Sequence, residues 1–276
     1  MVGRGALRGA APPQGPGPRG ALWAHRGGPA RAAAESRAMQ TPPTDDRALA
    51  LVLGGTGGIG SALVQALRAR GETVLAVGRR TEPAVDLAEP ASIERLAAHV
   101  AQRLADEGRA LRTLIVASGL LHEGAVQPER GWQHLDAQAL QRLFAVNAIG
   151  PALVMRHLLP LLPRQGRCVA AFLSARVGSI GDNRLGGWYG YRASKAALNQ
   201  FVHTAAIELA RRNKAALCVA LHPGTVDTAL SAPFAKTGLE VRPPALAAQE
   251  LLRVIDTLPE GASGGFFDHH GTPVPW

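Results

Sequence analysis

The chain has 276 residues, which fits one large α/β domain or two small ones, and 46% of them are apolar, which is enough for a substantial core. Six arginines and one glutamate give residues 1–38 a charge of +5, so only +4 of the total of +9 remains for the rest of the chain. We therefore expect neither a nucleic-acid-binding face nor, in the absence of a run of 18 apolar residues, a membrane span.

Residues 1–46 are rich in glycine, proline, alanine and arginine and hold few bulky apolar side chains. Such a segment buries too little surface to fold, and we predict a disordered leader. It lacks the apolar stretch of a secretory signal, whereas an organelle transit peptide and a true start at Met39 both stay open. Cys168 and Cys218 lie in apolar runs, which indicates reduced core thiols in a cytoplasmic protein.

From residue 47 onward, short apolar runs alternate with amphipathic segments. Strands are predicted at 48–55, 73–78, 84–87, 111–119, 167–174, 216–224 and 264–271. Helices are predicted at 58–71, 92–108 (with Ser92 as N-cap), 137–162 (kinked at Pro151), 191–212 and 245–258, with a flexible loop at 229–244. This alternation predicts a single three-layer α/β/α domain over 47–276, built on a Rossmann-type, doubly wound parallel sheet.

The segment "LGGTGGIG" (53–60) follows the first predicted strand and opens the first helix. Gly54 permits a tight turn, Gly58 lets the backbone approach a pyrophosphate, and Gly60 lets helix and strand pack closely. The amides at the helix N-terminus would then face the phosphates. The alternative is that these glycines only form a tight strand-to-helix turn.

The second predicted strand ends in Gly78-Arg79-Arg80. NAD sites offer a carboxylate to the ribose 2′-hydroxyl at this point, whereas guanidinium groups pair with a 2′-phosphate. NADP(H) is therefore favoured and NAD(H) stays possible. In the alternative interpretation, both arginines are simply solvated.

The segment "WYGYRASKAAL" places Tyr191 four residues before Lys195, so that one helix face carries both side chains. Gly186 and Gly187 suggest that the helix begins after Tyr189, and we expect that tyrosine to line a substrate pocket. An ammonium beside a phenol favours the phenolate and lowers the phenol's pKa. By itself the spacing also fits a helix face without chemistry.

In this order, the motifs resemble the classical short-chain dehydrogenase/reductase family over residues 48–276, and "GSIGDNRLGGWYGYRASKAALN" and "GGFFDHHGTPVPW" resemble its C-factor and Sniffer-like carbonyl reductase subgroup. The resemblance implies four catalytic residues: Asn147, Ser174, Tyr191 and Lys195. It implies that the cofactor is held by Gly54, Thr56, Gly57, Gly58, Ile59, Gly60, Arg79, Arg80, Asp86, Leu87, Ala117, Ser118, Gly119, Tyr191, Lys195, Pro223, Gly224, Val226 and Thr228.

The resemblance also implies the roles. Tyr191 is the general acid, Lys195 lowers its pKa and binds the nicotinamide ribose, and Asn147 positions a water that passes protons to Lys195. Where the family has Ser-Ser, this chain has Ser174-Ala175, and Ser174 or Ser179 would polarise the carbonyl. Where the family has Asn-Asn-Ala-Gly, this chain has "VASG" (116–119).

The sequence thus predicts an NADP(H)-dependent oxidoreductase that interconverts a ketone or aldehyde and an alcohol, with a small-molecule substrate under loop 229–244. The two departures support an alternative, a catalytically weak nucleotide-binding signalling protein. Too few residues follow Lys195 for an extended sugar-nucleotide epimerase. The resemblance also implies that helices 137–162 and 191–212 pack against a second subunit, which gives a homodimer or homotetramer. His222, His269 and His270 lack metal-site spacing, so no metal is expected.

Overall fold

The computed structural model describes residues 47–234 and 240–276. The predicted leader at 1–46, with Met39, lies outside the described residues, as does the middle of the predicted loop at 229–244.

Eight strands are present in the described part of the chain. They are β1 (Ala48–Leu53), β2 (Thr73–Val77), β3 (Ala110–Val116), β4 (Cys168–Leu173), β5 (Ala216–His222), β6 (Thr225–Val226), β7 (Val241–Arg242) and β8 (Phe266–Asp268). Six of them form a parallel sheet in the order β2-β1-β3-β4-β5-β8, and β6 pairs with β7 in a second, two-stranded sheet. Part of the predicted loop at 229–244 is therefore a strand.

Helices cover both faces of the six-stranded sheet. They are α1 (Gly58–Ala69), α2 (Pro90–Asp106), α3 (Ala137–Phe144), α4 (Gly150–Leu158), α5 (Tyr189–Arg212) and α6 (Pro244–Thr257). Alternate residues of β1 point to opposite faces: Leu51 packs in the core under α2, α4 and α5, and Val52 in the core under α1 and α6. The predicted Rossmann-type, three-layer α/β fold is confirmed.

Two local predictions between β2 and α2 are wrong. Residues 84–87 form no strand, since only a single bridge joins Gly78 to Ala84. The Thr81 hydroxyl accepts a hydrogen bond from the Gly78 amide at 2.9 Å and donates to Pro83 O at 2.8 Å, which folds this segment into a turn. Ser92 is not an N-cap, because α2 begins at Pro90 and the Ser92 hydroxyl points inward to Asp86 O at 2.8 Å.

The predicted helix at 137–162 is one helical stretch with a π-turn at Ala145–Ile149 between α3 and α4. Pro151 lies in the first turn of α4, where the π-turn relieves the contact that its ring would otherwise make with the preceding turn. Among the described residues, Ala137–Leu161 is the one helical stretch long and apolar enough to cross a bilayer. Val154 and Leu158 on its inner face are fully buried against the sheet, as in a core helix.

Candidate functional site

A cleft of about 410 Å³ opens at the carboxyl edge of the six-stranded sheet. β1 lies between β2 and β3, so the chain leaves β1 and β3 toward opposite sides of the sheet and leaves a crevice between them. The loops that follow these strands, together with the start of α5, form the walls of the cleft. The fold alone therefore makes this edge the place to look for a ligand.

Most of the sequence-predicted site residues line this cleft. They are Gly54, Thr56, Gly57, Gly58, Ile59, Gly60, Arg79, Asp86, Leu87, Ala117, Ser118, Gly119, Ser174, Tyr191, Lys195, Pro223 and Thr228. Arg80, Asn147, Gly224 and Val226 are not among the lining residues. The cleft also includes Ala229 and Leu230 of the loop predicted to cover the substrate, Gly78 at the end of β2, and residues that the sequence did not indicate: Val85, Leu120, Glu123, Arg142, Val146 and Leu173.

The glycine-rich segment forms a cradle that side chains would fill. A Cβ on Gly60 would lie 2.0 Å from Gly54 O, so only glycine lets α1 start this close to β1. A Cβ on Gly58 would lie 2.5 Å from Thr228 Cγ2, on the opposite wall of the cleft. Gly54 has a φ of +79°, which favours glycine. This backbone, open at the N-terminus of α1, fits the phosphates of a dinucleotide.

Tyr191 and Lys195 meet inside the cleft as their spacing predicts. The Lys195 Nζ donates a hydrogen bond to Leu173 O at 2.8 Å and lies 5.9 Å from the centre of the Tyr191 ring. Both residues are buried, at 8% and 3% exposure. A phenol and an ammonium are therefore held side by side at the end of β4.

Burial shifts the two pKa values in opposite directions. It raises the pKa of the Tyr191 phenol well above its ordinary value and lowers the pKa of Lys195 to about 8, because each charged form loses water. The expected lowering of the Tyr191 pKa is therefore not found in the chain alone. At neutral pH the pair consists of a neutral phenol and a largely protonated amine.

Asn147 is linked to the backbone of Tyr191 by hydrogen bonds through Ser194. Its Oδ1 accepts from the Leu120 amide at 2.8 Å, and its Nδ2 donates to Leu120 O at 2.7 Å and to Ser194 Oγ at 3.1 Å. The Ser194 hydroxyl in turn donates to Tyr191 O at 2.9 Å. This fully buried amide thus ties the loop after β3 to the first turn of α5.

Ser174 and Ser179 differ in position. Ser174 lines the cleft, is 4% exposed, and donates its hydroxyl proton to Asn199 Oδ1 at 2.6 Å. The buried Asn199 Nδ2 has no hydrogen-bond partner. Ser179 is not a lining residue, and its hydroxyl accepts from the Asp182 amide at 3.1 Å.

Helix α5 begins at Tyr189, two residues earlier than predicted. The backbone is left-handed at Gly186, Gly187 and Trp188, with φ of 64°, 65° and 54°. The turn that these residues form allows α5 to begin directly after Trp188. The Trp188 ring lies edge-on to Tyr191 and to Phe234, with centroids 6.2 and 5.4 Å away. Tyr189 is 37% exposed, and neither Tyr189 nor Trp188 is a lining residue of the cleft.

An acidic residue, Glu129, accepts hydrogen bonds from the first turn of α5. The Glu129 carboxylate accepts from the Gly190 amide at 3.1 Å, and Glu129 O accepts from the Trp188 amide at 2.6 Å. Glu129 is 3% exposed, which is unusual for a carboxylate. A negative charge at the positive end of α5 stabilises the helix that carries Tyr191.

Three charged side chains meet on one side of the cleft, near the end of β2. Glu123 Oε2 accepts from Arg142 Nη2 at 2.9 Å, and Glu123 Oε1 lies 3.6 Å from Arg79 Nη1. All three residues line the cleft. The sequence analysis identified Arg79 and missed the other two.

The histidines named in the sequence analysis, His222, His269 and His270, lie at the ends of β5 and β8, at the carboxyl edge of the sheet. His222 and His269 have ring centroids 6.4 Å apart, and three of their buried ring nitrogens have no hydrogen-bond partner. Burial, with help from His269, lowers the pKa of His222 to about 4, so its ring is neutral at neutral pH. Within residues 47–234 and 240–276, no group of three metal-binding side chains is found.

A family model for short chain dehydrogenases matches residues 48–238. The chain belongs to this family. Among its relatives, C-signal of Myxococcus xanthus is 39% identical over 142 residues, which are 51% of this chain and 81% of that protein. The 1-hydroxy-2-glutathionyl-2-methyl-3-butene dehydrogenase of Rhodococcus is 32% identical over 237 residues, which are 82% and 98% of the two chains.

A solved structure extends the comparison to ligands. The NADPH-bound carbonyl reductase from chicken fatty liver superimposes with a TM-score of 0.71 at 26% identity, over 83% of this chain and 99% of that one. Family membership and the dehydrogenase relative identify this short-chain dehydrogenase as an oxidoreductase that acts on a small molecule. The predicted family and enzyme class are confirmed.

Proposed function

We propose that this short-chain dehydrogenase reduces ketones or aldehydes to alcohols with NADPH, Tyr191 serving as the proton donor. The observation that carries the proposal is the buried Tyr191–Lys195 pair at the cleft, with Nζ 5.9 Å from the phenol ring. The reduced nicotinamide, when bound, supplies the hydride, and the chain must supply the proton for the alkoxide that develops.

The glycine cradle and the two arginines after β2 would hold the cofactor. Gly58 and Ile59 offer the N-terminal amides of α1 to the pyrophosphate, whereas the Gly57 amide donates to Gly54 O at 2.9 Å. Arg79 is 67% exposed at the rim of the cleft, where it is free to turn toward a 2′-phosphate. The NADPH of the chicken enzyme supports this choice of cofactor.

Tyr191 is protonated at neutral pH, since the ordinary pKa of a phenol is near 10 and burial raises it further, so it begins the reduction in the donor form. Lys195, with a pKa lowered to about 8, carries a positive charge at neutral pH and stabilises the phenolate that remains after proton transfer. Both atoms of the Asn147 amide are engaged by Leu120 and Ser194, so a water relay to Lys195 would use the backbone of this π-turn.

Ser174 would polarise the substrate carbonyl once its proton is free. In the opposite orientation of the Asn199 amide, Nδ2 donates to Ser174 Oγ, which gives that buried Nδ2 a partner. The Ser174 hydroxyl proton can then point into the cleft toward a carbonyl oxygen. Asn199 would thus decide whether Ser174 is a donor.

The test is oxidation of NADPH and NADH with a panel of ketones and aldehydes, comparing the wild type with Tyr191→Phe and Tyr189→Phe. Loss of a general acid lowers kcat by about 10²- to 10⁴-fold. We expect that loss for Tyr191→Phe with an unchanged NADPH Kd, and wild-type rates for Tyr189→Phe, which removes the other tyrosine of α5. Equal rates for both variants would rule out this proton donor.

A nucleotide-binding protein without turnover is the second candidate. The observation that favours it is that the Ser174 proton is donated to Asn199 rather than to the cleft. It predicts tight NADPH binding with no oxidation of NADPH on any carbonyl of the panel.

A further inference from the structure

In the proposed NADP(H) site, Arg79 binds the 2′-phosphate of the cofactor. In this structure Arg79 instead forms an ion pair with Glu123. Arg79 and Glu123 line the same cleft, and their nearest charged atoms are 3.6 Å apart. A carboxylate that pairs with a guanidinium occupies the geometry that a phosphate would take. A 2′-phosphate and Glu123 therefore compete for the same cation.

Glu123 is held in place by its backbone and by a second arginine. Its amide donates to Val126 O at 3.0 Å and its carbonyl accepts from the Val126 amide at 2.9 Å, around Gly124 with a φ of +55°. On the side-chain side, Arg142 Nε and Nη2 both contact Glu123 Oε2, at 3.0 and 2.9 Å. Glu123 consequently stays at the cleft when Arg79 leaves it.

Arg79 is the most exposed of the three side chains. Its side chain is 67% exposed, against 43% for Glu123 and 32% for Arg142. Among the described residues, the Arg79 guanidinium has no hydrogen bond, and its contact with Glu123 is an ion pair at 3.6 Å. A change of partner therefore costs Arg79 little.

We propose that Glu123 is a specificity-determining residue that weakens NADPH binding, because Arg79 must leave Glu123 to bind the 2′-phosphate. The inference rests on the proposed NADP(H) site. NADH has no 2′-phosphate, so its affinity does not depend on this exchange. The protein would use Glu123 to keep NADP⁺ release fast at the expense of tight binding.

The experiment measures the Kd of NADPH and NADH, together with 2′,5′-ADP and 5′-AMP as fragments, by isothermal titration of the full chain. The variants are Glu123→Gln, Arg79→Gln and the double variant. Exposed ion pairs and the repulsion of a nearby phosphate together predict about three- to tenfold tighter binding of NADPH and 2′,5′-ADP in Glu123→Gln. The Kd of NADH and of 5′-AMP should stay within about twofold of the wild type.

The double variant and a control locate the effect. In the Arg79→Gln background, Glu123→Gln removes only the repulsion between the Glu123 carboxylate and the 2′-phosphate. It should therefore tighten NADPH binding by a smaller factor than in the wild type. Glu107 is the matched control, since its carboxylate also lies between two arginines, Arg103 at 2.7 Å and Arg109 at 2.8 Å, away from the cleft. Glu107→Gln should change no Kd.

The outcomes separate this inference from the proposed function. A Kd of NADPH and 2′,5′-ADP that Arg79→Gln leaves unchanged removes the proposed 2′-phosphate site, and the inference with it. A wild type that prefers NADPH, combined with a Glu123→Gln variant in which both cofactors shift equally, or in which NADPH binds more weakly, overturns the role of Glu123 alone.

Discussion

Gly58 and Thr228 face each other across the cleft, and this contact gives a sharp test of the cradle. A Cβ on Gly58 would lie 2.5 Å from Thr228 Cγ2, whereas ordinary contacts are 3.4–4 Å. In Gly58→Ala the Thr228 methyl must therefore retreat by about 0.9 Å, and overpacking of this kind costs about 1–3 kcal/mol. Because both residues line the cofactor cleft, this cost weakens NADPH binding about five- to 150-fold.

The clash also predicts its own rescue. Thr228→Ser deletes the methyl group and keeps the hydroxyl, so the double variant Gly58→Ala/Thr228→Ser should recover most of the lost affinity. Gly261→Ala is the control, because nothing lies within 4 Å of its Cβ and its φ is not left-handed. NADPH Kd by fluorescence titration and the melting temperature are the measurements. Wild-type affinity in Gly58→Ala, or no rescue by Thr228→Ser, would refute the contact as the cause.

Two further predictions concern Asn199 and His222. Asn199→Asp should keep the Ser174 hydroxyl donating to the Asp carboxylate rather than to the substrate, and so lower kcat for ketones about tenfold or more with NADPH Kd unchanged; an unaltered kcat would contradict the assigned role of Ser174. The pKa of His222 is lowered from 6.5 to about 4, so the unfolded chain takes up the proton first and stability falls as pH drops through this window. Urea unfolding at pH 7 and pH 5 should show about 2 kcal/mol more loss for the wild type than for His222→Gln, and equal losses would contradict the burial of a neutral ring.

The sequence predicted best those features that depend on local spacing. The Tyr191–Lys195 pair follows from a four-residue spacing on a helix, and the Gly54–Gly60 cradle from the tight connection between β1 and α1. Both are set by neighbours in the chain, so the pattern alone positions them.

The features that were missed depend on contacts between distant segments. Glu123 and Arg142 reach the cleft only because the loop after β3 folds over it and α3 packs beside that loop. The start of α5 was misplaced because Trp188 adopts a left-handed conformation, rare for a bulky residue and supported by Glu129 from another loop. Residues 84–87 have strand-like composition, but the Ser92 hydroxyl bonds both the amide and the carbonyl of Asp86, at 3.1 and 2.8 Å, and so takes backbone groups that a ladder would need.

The most direct test of the account is a crystal structure with NADP⁺ at saturating concentration. The account predicts the pyrophosphate against the amides of Gly58 and Ile59, the Lys195 Nζ in hydrogen-bond contact with the nicotinamide ribose, and the Tyr191 hydroxyl facing the nicotinamide. An empty cleft at the carboxyl edge of the sheet, or a Tyr191 hydroxyl turned away from the nicotinamide, would contradict it.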